Sequence, residues 1–414
     1  MSFCIENKLN WLYIDINSYF ATIEQQVDPA IRGKPVAVVP LLSDSTCAIA
    51  ASQEAKLKGI KTGTKIYQAK KLCPELICLK ARHELYIEYH HKIFREIDLY
   101  LHVDHIFSID EGACKLTGKY CNESDAISIG KIIKKAIRDN VGEYISCSIG
   151  IAPNRYLAKI ASNMQKPDGL SVITPSELPN RLYPLNLKSL PGVGAKTKDR
   201  LIQNGISSIE QLCNLDRAKL KALWGNIWGE KVWYLIRGAD LPLEETKKAT
   251  IGHSQVLAPE LQLPEEARAV LITLILKAAS RLRSRELYTS SILLNIDLKS
   301  GRSIKESTRI ELSDDSSLIL KCALKSWDKI TQSQKLEKIK IKKLAISLHN
   351  LQKESNQLTF GGFNNQRKRQ RISRVIDYIN KKLGKDSVSI GIAPKTNQTE
   401  EIIAFSHIPK TGDS

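Results

Sequence analysis

No stretch of this chain is long and apolar enough to cross a bilayer as a helix. Met1 to Asn10 contains Glu6 and lacks an apolar signal core, so a cytoplasmic protein with no membrane partner is expected. Paired cysteines are missing as well. Nine cysteines, an odd number, run from Cys4 to Cys322 without a Cys-x-x-Cys. The closest two, Cys73 and Cys78, have no second pair at zinc-site spacing. That argues against a disulfide framework or a cysteine zinc module, and predicts reduced, mostly buried thiols. Histidine offers no substitute: the adjacent His90 and His91 face different ways on a helix, and His102 with His105 has no further ligand nearby. Acidic residues are few beside basic ones, 44 against 62, for a net charge of +18. A surplus of that size suits a polyanionic partner, because each neutralised phosphate releases counterions. It favours nucleic acid over a merely solubilising surface. With 414 residues, 42% of them hydrophobic, the chain can build two to four domains.

Periodicity supplies the elements. Trp11 to Asp15 reads as a strand closed by a carboxylate, followed by a helix with Phe20, Ile23 and Val27 on one face and Pro29 as its stop. Val36 to Pro40 reads as a strand, Ala50 to Lys58 as a small-residue helix, and Leu85 to Leu101 as a longer helix. His105 to Glu111 reads as a second strand ending in carboxylates. Ala126 to Asn140 reads as a helix. Tyr144 to Ala152 alternates, with Ile145, Cys147, Ile149 and Ile151 facing one way. Asn154 is placed to cap a helix over 155–164. The order β-α-(insertion)-β-β-α-β suits a ferredoxin-like sheet with an inserted subdomain, in which Asp15 and Asp110 can meet.

Further on, Leu190-Pro191-Gly192-Val193-Gly194-Ala195-Lys196, with a helix over Thr197 to Asn204, suggests a helix-hairpin-helix. Its glycines would let backbone N–H groups approach a phosphate; a plain tight turn between helices is the alternative. Pro242 to Thr250 reads as a linker. A separate α+β domain follows, with a helix over Ala267 to Glu286 that carries Arg281, Arg283 and Arg285 near its end. Strands are expected at Ser291 to Leu298 and Lys338 to His349, the second with a bulge at Lys342-Lys343 where its apolar parity shifts. Residues 335–385 hold fourteen Lys or Arg against three Asp or Glu, with an amphipathic helix over Ser373 to Leu383. Such a stretch is either a solvated tail or an arm that tracks DNA.

An Asp at a strand end is more often a turn-former or cap than a ligand. Phosphoryl transfer, however, calls for metal ions about 3.5–4 Å apart held by hard oxygen donors. The surrounding residues bear on this choice. Tyr13-Ile14-Asp15-Ile16-Asn17-Ser18-Tyr19-Phe20-Ala21 and Ser108-Ile109-Asp110-Glu111 resemble the two catalytic motifs of the Y-family DNA polymerases, the DinB and UmuC group. Gly33 to Val38, Ala48 to Gly63, Ser148 to Asn154, Leu157 to Ser162 and Lys166-Pro167-Asp168-Gly169 continue the resemblance in register, over roughly residues 10 to 350.

The resemblance implies an α+β fold: a ferredoxin-like palm (1–32 and 100–172), inserted fingers (33–99), a helical helix-hairpin-helix thumb (173–242), a linker (243–250), an α+β little finger (251–350) and a basic tail (351–414). It implies an error-prone, template-directed DNA polymerase acting in damage bypass. Asp15, Asp110 and Glu111, with the Ile16 carbonyl, would hold two Mg2+ ions. Tyr19, Phe20, Lys56 and Lys166 would meet the deoxynucleoside triphosphate, Phe20 as a steric gate that also has the spacing of a core residue. Gly192, Gly194, Lys196, Arg281 and Arg283 would meet primed template DNA. Gln357, Leu358 and Phe360 resemble a sliding-clamp peptide, and a UmuD-like partner is a further implied contact. The chain departs from the family at Gln53 and Lys56, where Tyr and Arg are common, and at Ala113 and Lys115, where an aromatic residue and an acid are usual. A DNA-binding accessory protein and a nucleotide cyclase are the competing readings. Retained carboxylates speak against the first, and the helix-hairpin-helix and basic second half against the second.

Overall fold

The structure is a computed structural model, and it describes residues 8–243, 249–334, 339–353, 363–384 and 387–388. The chain divides into two units at residue 243. The first unit carries, in order, β1 (Trp11–Ile16), α1 (Tyr19–Val27), β2 (Val36–Val39), β3 (Ala50–Ala51), α2 (Gln53–Leu57), α3 (Ile66–Leu72), β4 (Ile77–Lys80), α4 (His83–Asp98), β5 (His105–Ile106), β6 (Glu111–Lys115), α5 (Glu123–Ala136), β7 (Cys147–Ala152), α6 (Arg155–Met164), β8 (Leu170–Val172), α7 (Ala195–Gln203), α8 (Ile209–Cys213), α9 (Arg217–Trp224) and α10 (Ile227–Leu235).

Its main sheet has the order β5-β6-β1-β7-β8, so β1 is central and buried along its whole length. Alternation then sorts the side chains. Leu12, Ile14 and Ile16 join Ile145, Cys147, Ile149 and Ile151 in a core that also takes Ile93 and Ile97 of α4 and Ile129 and Ile133 of α5. Trp11 and Tyr13 join a second core with α6 and the helices from α7 to α10. The expected parity of the 145–151 stretch is therefore what is found. A small separate sheet, β3-β2-β4, has its own core around Ala37, Val39 and Ile60.

The second unit contains β9 (Ile251–Val256), α11 (Pro264–Arg283), β10 (Leu287–Leu298), β11 (Ser303–Ser313), α12 (Ser316–Ser333), β12 (Ile341–His349), β13 (Gln352–Lys353) and α13 (Phe363–Leu383). Its sheet runs β11-β10-β12-β9, with α11 and α12 supplying the core. The expected bulge is present: Asp297 pairs with Lys343 and Leu298 with Ile341, leaving Lys342 over.

Other expectations needed correction. The strand expected over 105–111 is a hairpin. Its first arm stops at Ile106, the N–H groups of Phe107 and Ser108 both bond the Glu111 carbonyl, and the second arm begins at Glu111. The carboxylates therefore open a strand rather than close one. The helix expected over 50–58 is a two-residue strand and the short α2, capped by Ser52. The first arm of the expected helix-hairpin-helix is a single 3-10 turn, Leu187–Ser189. The helix expected over 126–140 gives way after Ala136 to a π turn. Several elements went unforeseen, among them β4, the helices α8 to α10, β9, β11, whose one face is entirely polar, and α12. Of the expected linker, residues 244–248 lie outside the described residues.

The seating of α6 depends on one glycine. A Cβ on Gly150 of β7 would lie 2.0 Å from the Ala158 carbonyl oxygen and 2.3 Å from the Ser162 nitrogen. Both contacts are backbone, so no side chain can swing aside. Gly150→Ala is expected to cost about 1–3 kcal/mol of stability by pushing α6 off the sheet. Thermal denaturation checks this, and an unchanged melting temperature would contradict the tight seating.

Candidate active site

The antiparallel register of the main sheet makes rows across one face. Lys115, Trp11 and Ala152 form one; Ala113, Tyr13 and Gly150 the next; Glu111, Asp15 and Ser148 the third. The end of β1 thus meets the start of β6, and two carboxylates from distant parts of the chain become direct cross-strand neighbours. Asp110 is locked beside them, since its carbonyl accepts from the Ile16 N–H at 2.9 Å. Behind the turn, buried His90 donates Nδ1–H to the Ile109 carbonyl at 2.7 Å; burial pushes its pKa down to about 4, so it stays neutral. A Cβ on Gly112 would strike the Phe94 ring, so the start of β6 also lies close against α4.

Each carboxylate has a different partner. Asp15, 6% exposed, is paired with the Lys166 ammonium at 2.6 Å. Burial nevertheless pushes its pKa up to about 6, with the negative charges of Glu111 and Asp110 adding to the rise against the opposing pull of Lys166. Asp110 accepts from Ser108 Oγ at 2.6 Å and is also raised, first by burial. Burial acts on Glu111 in the same direction, but is outweighed there by Lys159, at 2.7 Å, and by the Tyr13 hydroxyl, at 2.8 Å; its pKa is lowered. Among the described residues the three carboxyl groups do not close into a finished ligand cluster. They converge as hard oxygen donors, Asp15 and Glu111 each beside an ammonium group and Asp110 beside a hydroxyl, a donor set suited to divalent cations.

The β1–α1 turn is pinned separately. Asn17 donates to Ser146 Oγ at 3.1 Å and accepts from Ser148 Oγ at 2.9 Å, and Ser18 takes a left-handed φ of 51°. Lys56 donates to Ser18 Oγ at 2.7 Å. Its pKa is lowered, by partial burial first and then by the neighbouring charge of Lys166. Phe20 is 7% exposed and lies 4.6 Å from the Tyr86 ring.

Two expected contacts are corrected. The Tyr19 side chain turns into the core, where its hydroxyl donates to the Tyr86 carbonyl at 2.6 Å, so it does not face a nucleotide. Arg283 is no free surface cation: its side chain is 6% exposed and forms a two-toothed pair with Asp377 of α13 at 2.5 and 2.9 Å. The same pairing, with Arg374 on Asp314, docks α13 on its own unit, so that helix is not a loose tail. Arg281 is half-buried in the last turn of α11. Gly192 has φ +88° and a Cβ there would meet Trp228 Nε1 at 2.9 Å, whereas nothing lies within 4 Å of a Cβ built on Gly194 and Lys196 is exposed, so the hairpin is open on the Gly194 side. Gln357, Leu358 and Phe360 lie outside the described residues. Lys159, Ser108 and the hydroxyl of Tyr13 were not anticipated as site residues. The available signal was the spacing of two between Tyr13 and Asp15, which puts both on one face of a strand.

Comparison with known proteins identifies the family. Residues 14–163 match the impB/mucB/samB family, residues 248–360 its C-terminal domain, and residues 188–240 the thumb domain of DNA polymerase iota. The chain is 30% identical over 405 residues to DNA polymerase IV 1 of Bacillus subtilis, with 94% of each chain covered. It is 35% identical over 279 residues to DNA polymerase IV of Moorella thermoacetica, covering 66% of this chain and 69% of that one. Among solved structures, the Y-family DNA polymerase chimera Dbh-Dpo4(243-245)-Dbh shares the fold with a TM-score of 0.72 at 22% identity, covering 83% of this chain and all of that one. An insertion ternary complex of Dbh DNA polymerase superimposes with a TM-score of 0.55 at the same identity and coverage of this chain. With a relative matched along nearly its whole length and family models matched over both units, this chain belongs to the Y-family of DNA polymerases, the DinB/UmuC-like enzymes of lesion bypass.

Proposed function

We propose that this polymerase adds deoxynucleotides to a primer end at a centre where Asp15, Asp110, Glu111 and the Ile16 carbonyl hold two magnesium ions. The observation that carries the assignment is the pairing of Asp15 with Glu111, with Asp110 tied to Ile16 beside it. Bound there, divalent ions would lower the pKa of the primer 3′-hydroxyl and offset charge on the α-phosphate and leaving pyrophosphate. The rest falls to the chain itself. Lys166 is in reach of Asp15 and one-third exposed, so it can leave the carboxylate and take up triphosphate charge. Lys56 does the same from the other side; as an ammonium it offers a point charge rather than the two-toothed fork of arginine. Phe20 closes the sugar end of the site and excludes a 2′-hydroxyl.

In this reading the five-stranded sheet is the palm, the three-stranded sheet the fingers, the helical block from α7 to α10 the thumb, and the second unit the little finger. The hairpin at Gly192, Gly194 and Lys196 binds the DNA backbone, and Arg281 adds to the grip of the second unit. Sliding-clamp binding through Gln357, Leu358 and Phe360 rests on sequence alone. An accessory role without catalysis is disfavoured, because such a protein has no need of the three carboxylates.

Purified protein with magnesium is expected to extend a primed template, across an abasic site included, and Asp110→Ala to abolish extension while DNA binding persists. Extension by Asp110→Ala at the wild-type rate would overturn the ligand assignment. Phe20→Leu, which keeps most of the packing, is expected to raise ribonucleotide incorporation; unchanged sugar selectivity would leave Phe20 a core residue only.

Burial of Asp15 generates a third expectation. Its pKa rises from 3.8 to about 6 in the folded protein. The folded state therefore binds the proton more tightly, and stability falls as pH rises through that window. Above it the full cost applies, on the order of 3 kcal/mol. In chelator at pH 7, Asp15→Asn is expected to melt several degrees above wild type, with a smaller gap at pH 4, although it extends no primer. Equal melting at pH 7 would contradict the assigned cost.

A further inference from the structure

Two of the three site carboxylates have partners that a substrate can replace. Lys166 is one-third exposed beside Asp15, and Ser108 is a small hydroxyl on the same turn as Asp110. Glu111 differs. Both of its donors, Tyr13 Oη at 2.8 Å and Lys159 Nζ at 2.7 Å, fall on one oxygen, Oε2. Among the described residues no donor reaches Oε1.

The Tyr13 hydroxyl is fixed by burial, while the Lys159 side chain is one-third exposed, as that of Lys166 is. Tyr13 is 2% exposed, and its ring stacks on Phe107 at 5.6 Å with 16° between planes. It stands across the ladder from Ala113, whose small side chain leaves the row to the ring. Lys159 passes 5.5 Å from the Tyr13 ring on its way to Glu111. It projects from α6, which can approach the sheet only because β7 offers Gly150. The Tyr13 hydroxyl has no solvent to turn to.

We propose that Tyr13 and Lys159 are positioning residues for Glu111: they hold Oε2 and so present Oε1 to the cation. A ligating carboxylate with its second oxygen fixed by donors loses less freedom on binding a metal, and loss of such partners typically costs about 10–100-fold in affinity or activity. The aromatic residue usual in this family at position 113 is absent here, and its neighbour across the ladder carries the hydroxyl instead. The inference rests on Glu111 being a metal ligand, as proposed above.

Tyr13→Phe removes the hydroxyl and keeps the ring, so the stack and packing remain. Lys159→Met and Lys159→Arg remove and retain the charge. The full chain is bound to a primer lacking its 3′-hydroxyl, with a matched nucleotide, and Mn2+ binding is read by electron paramagnetic resonance without turnover. Single-nucleotide kinetics on a normal primer give kcat and KM.

Tyr13→Phe is expected to weaken Mn2+ binding and lower kcat by roughly tenfold each, leaving nucleotide KM, DNA affinity and melting temperature near wild type. Lys159→Met should do the same and Lys159→Arg recover part of the loss. Wild-type Mn2+ affinity and kcat in Tyr13→Phe would overturn the proposal, as would a loss that merely follows a lower melting temperature or weaker DNA binding. Asp110→Ala separates the two levels. If it is inactive while Tyr13→Phe is normal, only the positioning role fails. If it remains active, the ligand assignment fails and this inference with it.

Discussion

Everything at the candidate centre depends on how β1 is paired. It lies between β6 and β7, antiparallel to both, with Asp15 facing Glu111 on one side and Ser148 on the other. Side chains in a strand alternate, so a slip of one residue in either ladder would send Asp15 to the face of Leu12, Ile14 and Ile16. The register is held from that face. Those three residues are essentially unexposed and pack with Ile149 and Ile151 of β7. A hydrophobic core on one side of the sheet thus fixes the position of charges on the other.

The same division explains the glycines and small residues beside the carboxylates. Gly150 admits the α6 backbone, and α6 brings Lys159 over the row that contains Tyr13. Gly112 follows Glu111 where the Phe94 ring leaves no room for a Cβ. The Asn17 amide bonds Ser146 and Ser148, and the Ser18 hydroxyl accepts from Lys56. Only at Gly150 is the close neighbour backbone; at Gly112 it is an aromatic ring, and at Asn17 and Ser18 it is the polar end of another side chain.

Much of this was legible beforehand where a local rule had no competitor. Asn154 caps α6 through the Leu157 N–H, as its position before a periodic run implies, and Lys342 forms the bulge that the break in apolar parity requires. The misses had tertiary causes. His105 to Glu111 carries the composition of one strand, but the tie of Asp110 to Ile16 calls for a turn at 107–110. β11 has a wholly polar face and offers no apolar alternation strong enough to mark it. Arg283 looked like a DNA contact because charge is read as exposure. Its burial depends on Asp377, ninety-four positions away, which no local pattern announces. Lys159 stayed hidden for the same reason: its role exists only once α6 lies on the sheet.

The charge balance ties site and fold together. Three carboxylates in one partly buried place repel one another, and burial raises both Asp15 and Asp110 despite nearby cations. Only Glu111 is lowered, and only Glu111 has two donors on one oxygen, one of them the buried Tyr13 hydroxyl. The centre therefore has one carboxylate kept ionised by the fold and two whose ionised forms lack full compensation from the protein. If these residues hold a cation as proposed, it would find one fixed anchor and relieve the other two, so the cost left in the metal-free site would become part of the affinity for metal. In that reading Lys166 would complete the exchange, leaving Asp15 to take up triphosphate charge.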